Sequence, residues 1–276
     1  MKRPLVLLLA AILLAGCQAN PITGRSQLLI VSDSQAISSS ATAYTQMMGD
    51  LGKKKQIEPP DSERARRIHA ITNRLIAQAI VLRPDTANWQ WEVRVIDDPK
   101  TVNAFCMAGG KMAIYTGLLE QVKPSDDEIA QVMGHEISHA IADHTRERMS
   151  VVLASQAALT GAALALGGRE GAGLGLAGAE LAAVYAIQLP NSRESESEAD
   201  RIGIEIAARA GYDPHAAVTL WEKMEKAGGK GPPQFLSTHP APANRRQALQ
   251  ELGPKMEPYY QQAKAHPAKD APNFLR

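Results

Sequence analysis

From Ser62 onward the apolar residues Ala65, Ile68, Ile71, Leu75, Ile76 and Ala79 recur at intervals of three and four. That spacing predicts an amphipathic helix ending near Leu82, before Pro84. The period then changes to two: Trp89, Trp91, Val93 and Val95 alternate with polar residues and would share one face of a half-buried strand running to Ile96. Two further strands, Asn103 to Met107 and Lys111 to Tyr115, flank Ala108-Gly109-Gly110, where two glycines can supply the positive φ of a tight hairpin. A helical period returns after Ser125, which forms a capping box with Glu128, while Asp126 and Asp127 suit the first turn. Ile129, Val132, Met133, Ile137 and Ile141 continue the stripe, so this helix is central to the core.

Elsewhere the pattern is weaker. Residues 18 to 60 are polar with scattered apolar positions and end in Lys53-Lys54-Lys55 and Pro59-Pro60. Residues 151 to 189 are rich in alanine, leucine and glycine; a pair of helices packed over the active-site side of the domain fits them better than a transmembrane hairpin, because the small side chains are weakly hydrophobic. Helices are expected from Ala199 to Ala210, stopped by Gly211, from Pro214 to Ala227 and from Pro242 to Leu252. The organisation that follows is a tether and lead-in helix (17–61), one main domain (62–253) and a proline-rich C-terminal tail (254–276), with no internal repeat. The class is α+β, mainly helical, with a small sheet whose edge strand precedes the central helix.

The first residues are a separate matter. Lys2 and Arg3 precede an apolar run from Leu5 to Leu14 and then Ala15, Gly16 and Cys17, so residues 1–16 read as a bacterial lipoprotein signal peptide. The run is short for a spanning helix, which needs roughly 20 apolar residues. Cys17 would become the lipidated first residue, anchoring a soluble domain to a membrane. Lipidation leaves Cys106 with no disulfide partner, and it reads as a small strand residue. Lys and Arg number 30 against 29 acidic residues, a formal charge of +1 that gives no reason to expect nucleic acid.

The central helix also carries chemistry. His135 and His139 lie four apart in His135-Glu136-Ile137-Ser138-His139, on one helical face, so both imidazoles can reach one Zn2+ ion. Glu136, offset by about 100°, can sit beside the metal and take a proton from a water that the metal has acidified. A catalytic zinc needs a third protein ligand. Ala142 and Thr145 occupy the positions where a metzincin would place a glycine and a histidine, so an acidic ligand on a later helix is expected. Glu196 fits best, with Asp200 one turn on to orient a ligand histidine, His135 for choice, through its ring N–H; Glu194 and Glu198 compete. His144, five residues beyond His139, is turned about 140° from the metal face and is not expected to be a ligand.

Asn103-Ala104-Phe105, Gly109-Gly110, Gly117-Leu118-Leu119, the His135-Glu136-x-x-His139 motif, Glu196-x-x-Ala199-Asp200 and His239-Pro240 occur in an order that resembles a known family. It is the gluzincin metallopeptidase family of HtpX, the CAAX prenyl endopeptidases and the periplasmic proteins BepA and LoiP, and the likeness spans about Ser62 to Leu252. The resemblance implies a zincin-like domain with one zinc on His135, His139 and Glu196, Glu136 as general base and Asp200 as supporting carboxylate. It implies that Asn103, Ala104 and Phe105 bind substrate as an added β-strand. It implies that His239, with Arg245 six residues on, acts as a removable fourth ligand or an oxyanion stabiliser. The lipoprotein signal points to the periplasmic branch, and Gln18 after the cysteine, where an aspartate would signal inner-membrane retention, points to the outer membrane. Misfolded or stalled envelope proteins would then be the substrates. The rival reading is a non-enzymatic chaperone or outer-membrane assembly factor with a structural zinc.

Overall fold

The computed structural model describes residues 17–165, 176–227, 233–240, 244–266 and 272–275, so the expected signal peptide, residues 1–16, lies outside it. The described chain opens with a hairpin in which β1 (Cys17–Ala19) pairs antiparallel with β2 (Ser26–Leu28). Helix α1 (Asp33–Lys53) follows, started by a capping box between Ser32 and Gln35 and turning Ala36, Ser39, Ser40, Ala43 and Tyr44 inward. The lead-in segment thus contains its helix, but residues 17–28 are docked on the body of the protein and do not hang from it as a tether.

Helix α2 (Glu63–Leu82) carries the expected stripe, with Ser62 accepting the Ala65 N–H as N-cap. Pro84 opens a 3-10 turn to Asn88, and the indole N–H of Trp91 donates to the Thr86 carbonyl at 3.0 Å. Those bonds hold Trp89 and Trp91 against the turn, so β3 (Glu92–Ile96) starts later than the alternation suggested. The strands β4 (Ala104–Met107) and β5 (Lys111–Tyr115) complete a sheet of order β3-β5-β4, parallel between β3 and β5 and antiparallel between β5 and β4. This leaves β4 at an edge. Gly109 and Gly110 both have φ of +79°, and a Cβ on Gly110 would lie 2.4 Å from the Trp91 ring.

Helix α3 (Asp126–Ile141) begins at the capping box: the Ser125 N–H donates to Glu128 Oε2 at 2.8 Å and the Glu128 N–H to Ser125 Oγ at 3.2 Å. From Glu128 to Ile141 it is buried throughout. Then come α4 (His144–Ala165) and α5 (Leu176–Gln188), the helix pair expected of the alanine-rich segment. Ala182, Ala183 and Ala186 pack with Phe105, Met107 and Ala108, so α5 lies against β4. Among the described residues no helix is long and apolar enough to cross a membrane.

Helix α6 (Arg193–Arg209) starts earlier than Ala199 because Ser192 caps it by accepting the Ser195 N–H. It crosses α3 glycine on glycine: a Cβ on Gly134 would approach the Gly203 carbonyl oxygen to 2.9 Å, and one on Gly203 the His135 nitrogen to 2.8 Å. Helices α7 (Ala216–Ala227), α8 (Gln234–Thr238) and α9 (Arg245–Ala265) close the far side. Residues 241–243, where the last helix was expected to begin, lie outside the described part. The sequence reading stopped that helix at Leu252 and made the rest a tail, yet α9 runs on through Pro254 and Pro258. An interior proline costs a helix about 3 kcal/mol; here Met256 is buried and Tyr259 lies under the Arg209 guanidinium at 3.8 Å, contacts that offset it. Beyond it the Phe274 N–H donates to Asn73 on α2 and Leu275 is buried.

Candidate metal centre

The close crossing of α3 and α6 decides which acidic side chain meets the two histidines. Glu194 is exposed and Glu198 turns aside, whereas Glu196 is fully buried against His135 and His139. Glu196 Oε2 lies 3.4 Å from His135 Nε2 and Oε1 lies 3.4 Å from His139 Nε2, with the two Nε2 atoms 3.1 Å apart. Ligand atoms around a tetrahedral zinc with bonds near 2.1 Å are separated by about 3.4 Å, so the triangle has the right size. His239 joins the cluster: one atom from each of His135, His139, Glu196 and His239 lies within 4.8 Å of the others.

Polar accounting also fits a cation. Glu136 Oε1 and Glu196 Oε1 are buried without a well-formed hydrogen bond, their ring-nitrogen neighbours being His239 and His139 Nε2 at 3.3 and 3.4 Å, a costly arrangement for carboxylate oxygens unless a positive centre serves them. Burial pushes the Glu136 carboxyl up to about 8, only partly opposed by the charge of His135. Burial disfavours a charged His135, but the carboxylates of Glu196 and Asp200 outweigh it and raise the imidazolium to about 9. Burial drives His139 well below its ordinary value and takes His239 to about 3. Glu196 stays ionised despite its own burial because the charged His135 faces it and because His135 and His139 hydrogen-bond to it. A carboxylate pocket that attracts a proton to His135 attracts a divalent cation in the same way.

Each member is held from behind. His135 Nδ1 faces Asp200 Oδ1 at 3.1 Å, the partnership expected of Asp200. Arg245, which the sequence marked only by its distance from His239, donates from Nη1 to Glu196 Oε2 at 3.0 Å and from Nη2 to Asp200 Oδ1 at 2.6 Å. Its guanidinium lies 3.6 Å from the centroid of the Trp221 ring. His239 stacks on Phe235 at 4.2 Å and 17°, and its Nε2 is 3.3 Å from Glu136 Oε1. Asn191, unremarked in the sequence, brings Nδ2 to 3.4 Å from His139 Nε2 and accepts a short hydrogen bond from the Arg148 guanidinium.

The strand Asn103-Ala104-Phe105 lies beside this cluster but is buried, with exposures of 5, 1 and 5%. Its neighbour Cys106 already uses its backbone: the carbonyl accepts from Thr145 Oγ1 at 3.3 Å and the N–H supports Glu136. Cys17 is exposed at the start of β1, and burial raises the Cys106 thiol well above its ordinary value, which keeps it protonated.

Comparison with known proteins agrees with the geometry. Residues 62–253 match the model of peptidase family M48, and residues 1–18 match a prokaryotic membrane lipoprotein lipid attachment site. The mitochondrial metalloendopeptidase OMA1 of Schizosaccharomyces pombe is 31% identical over 241 residues, 86% of this chain and 66% of the relative. OMA1 of Arabidopsis thaliana is 42% identical over 159 residues, 58% of this chain and 31% of the relative. The metalloprotease LoiP of Escherichia coli is 29% identical over 257 residues, 90% of this chain and 94% of the relative. The chain thus spans about a third of the Arabidopsis thaliana protein, just under two thirds of the Schizosaccharomyces pombe protein and nearly all of LoiP. On the extent of the family match, and with two histidines and a glutamate converging as a metallopeptidase requires, the chain belongs to peptidase family M48.

Proposed function

We propose that this protein is a lipid-anchored zinc metalloendopeptidase that cuts misfolded or stalled envelope proteins at the periplasmic face of the bacterial outer membrane. The observation that carries the chemistry is the convergence of His135, His139 and Glu196, with the buried Oε1 of Glu136 at the same spot. Zinc bound there would supply a Lewis acid and lower the pKa of a water from about 15.7 towards 7. Glu136 would take the proton of that water and pass it to the departing amine. His239, whose Nδ1 faces the Phe235 carbonyl oxygen at 3.1 Å and so leaves Nε2 with its lone pair, would act as a removable fourth ligand, and would donate to the oxygen that gains charge only after taking up a proton. Asp200 and Arg245 would hold His135 and Glu196 in place.

The lipid attachment match at residues 1–18 supports a membrane anchor through Cys17, and the likeness to LoiP supports an envelope setting. A substrate chain would pair along Asn103, Ala104 and Phe105, and tolerance of many sequences would follow from backbone pairing. Because α5 lies against β4, that pairing requires α5 to move aside. One observation favours the rival, a chaperone or assembly factor with structural zinc: His239 supplies a fourth protein donor, and closed four-donor sites are structural. Glu136 argues the other way, since a staple needs no base.

The test is Glu136→Gln. The variant should retain one zinc per chain and lose cleavage of an unfolded protein by a factor of about 100 or more. Undiminished cleavage by a clean preparation, or equal rescue of an envelope defect by wild type and variant, would favour the rival.

A further inference from the structure

Two histidines in the cluster present Nε2 to a common point, and each has a second ring nitrogen that must be satisfied. For His135 that partner is Asp200. For His139 it is His144, Nδ1 to Nδ1 at 2.9 Å, and His144 in turn places Nε2 2.9 Å from Glu198 Oε2. Both rings are buried, at 1% exposure each.

The proton positions along this line follow from valence. Coordination through Nε2 requires His139 to carry its proton on Nδ1, which it then donates to His144 Nδ1. An accepting Nδ1 obliges neutral His144 to carry its own proton on Nε2, which points at the Glu198 carboxylate. One carboxylate therefore selects the tautomer of both rings.

Glu198 is itself gripped by the N-terminal hairpin. Thr23 Oγ1 gives its Oε1 a short hydrogen bond, and Arg25 Nε donates to Oε2 at 2.8 Å. The rest of the Arg25 fork closes on Glu147, with Nη1 to Oε1 at 3.0 Å and Nη2 to Oε2 at 2.7 Å. Asn20 and Gln27, both buried, donate to the Ala142 carbonyl at 2.7 and 3.0 Å, just past the end of α3. Each of these contacts thus falls on the segment around His139 and His144 or on the carboxylate behind them.

We propose that His144, Glu198 and Arg25 are positioning residues for the metal centre, a relay in which the N-terminal hairpin fixes the orientation and tautomer of His139. The proposal rests on the metal reading above. It gives the acidic residue that competed with Glu196 for the metal a different task, and it places part of the metal's support within eight residues of Cys17.

The test uses the full chain purified in detergent, with zinc affinity measured by chelator competition and the visible spectrum of the cobalt(II)-substituted protein recorded. Glu198→Ala and Arg25→Ala should weaken zinc binding about 10- to 100-fold and shift the cobalt bands, with His144→Gln behaving alike. Glu198→Asp should recover part of the affinity. Ile22→Ala, which trims only apolar contact from the hairpin, should leave the spectrum unchanged. Zinc affinity within about twofold of wild type and unaltered cobalt bands in Glu198→Ala, in a protein that loses zinc in Glu196→Ala, would overturn the relay and leave the metal site standing. The same spectral shift in Ile22→Ala would reduce the hairpin to generic packing and overturn the proposal. A wild-type chain that binds no zinc would overturn the metal reading and the relay together.

Discussion

Arg245 joins two buried carboxylates that would otherwise repel each other, Glu196 and Asp200, and it can do so because a guanidinium presents a planar fork. Replacing it with methionine would leave two buried anions facing His135 as their remaining cation, and breaking a buried pair costs about 3 to 5 kcal/mol. The urea midpoint of zinc-free Arg245→Met should fall accordingly, and an unchanged midpoint would show that the carboxylates are held by something else. At this scale much was readable from sequence, because a helix turns about 100° per residue. The spacing put His135 and His139 on one face, and a carboxylate one turn before Asp200 was preferred over Glu194 and Glu198. Arg245 was only noticed, since nothing local says where a lone arginine will point.

Among the elements, the crossing of α3 and α6 governs the site. Gly134 and Gly203 let the helix backbones touch beside His135, and that approach delivers Glu196 to the histidines. An exposed helical Gly→Ala change gains about 1 kcal/mol. Gly203→Ala should instead lose about 1 to 3 kcal/mol, because its Cβ would meet the His135 backbone. It should also weaken zinc binding, read by chemical denaturation and a zinc titration on the same preparation. A stabilised, zinc-replete variant would show that the helices need not lie so close. Helix α2, the Gly109-Gly110 hairpin and the capped start of α3 were legible because each depends on a local signal: a stripe, a turn residue, a cap. The start of β3 was not, because a tryptophan side chain bonding back five residues to the 3-10 turn leaves no periodic signal, and the length of α9 was not, because Tyr259 packs under Arg209, far away in sequence.

For the molecule as a whole, the hairpin ties together segments far apart in the chain, and a metal at the candidate centre would do the same. Zinc held by α3 and α6 would stabilise the folded state with the logarithm of its free concentration, by about 4 kcal/mol at a thousand times the dissociation constant. A chelator should therefore lower the melting temperature, and restored zinc should return it; a melting curve indifferent to both would count against a site that spans the two helices. The hairpin is held by charge and so responds to acid. Burial raises the Glu198 carboxyl, but bonds from His144, Thr23 and Arg25 more than reverse this and hold it at about 2, against an ordinary 4.5. A depressed carboxylate stabilises the fold above its ordinary value and ceases to do so as pH falls through the lowered one, so this contribution fades between about 4.5 and 2. Hydrogen exchange at residues 17–28 should accelerate across that window in wild type, and Glu198→Gln should flatten the change.

Spacing along a single helix or strand carried the helical and strand periods, the caps, the candidate histidine pair and a preference for Glu196, one turn before Asp200, that the family resemblance strengthened. Packing in three dimensions was needed to set Glu198 on His144, Arg245 between Glu196 and Asp200, and the first residues after Cys17 on the far end of the α3 segment. These depend on which surfaces meet when the core closes, and the glycine-on-glycine crossing that brings them together carries no periodic signal in the chain.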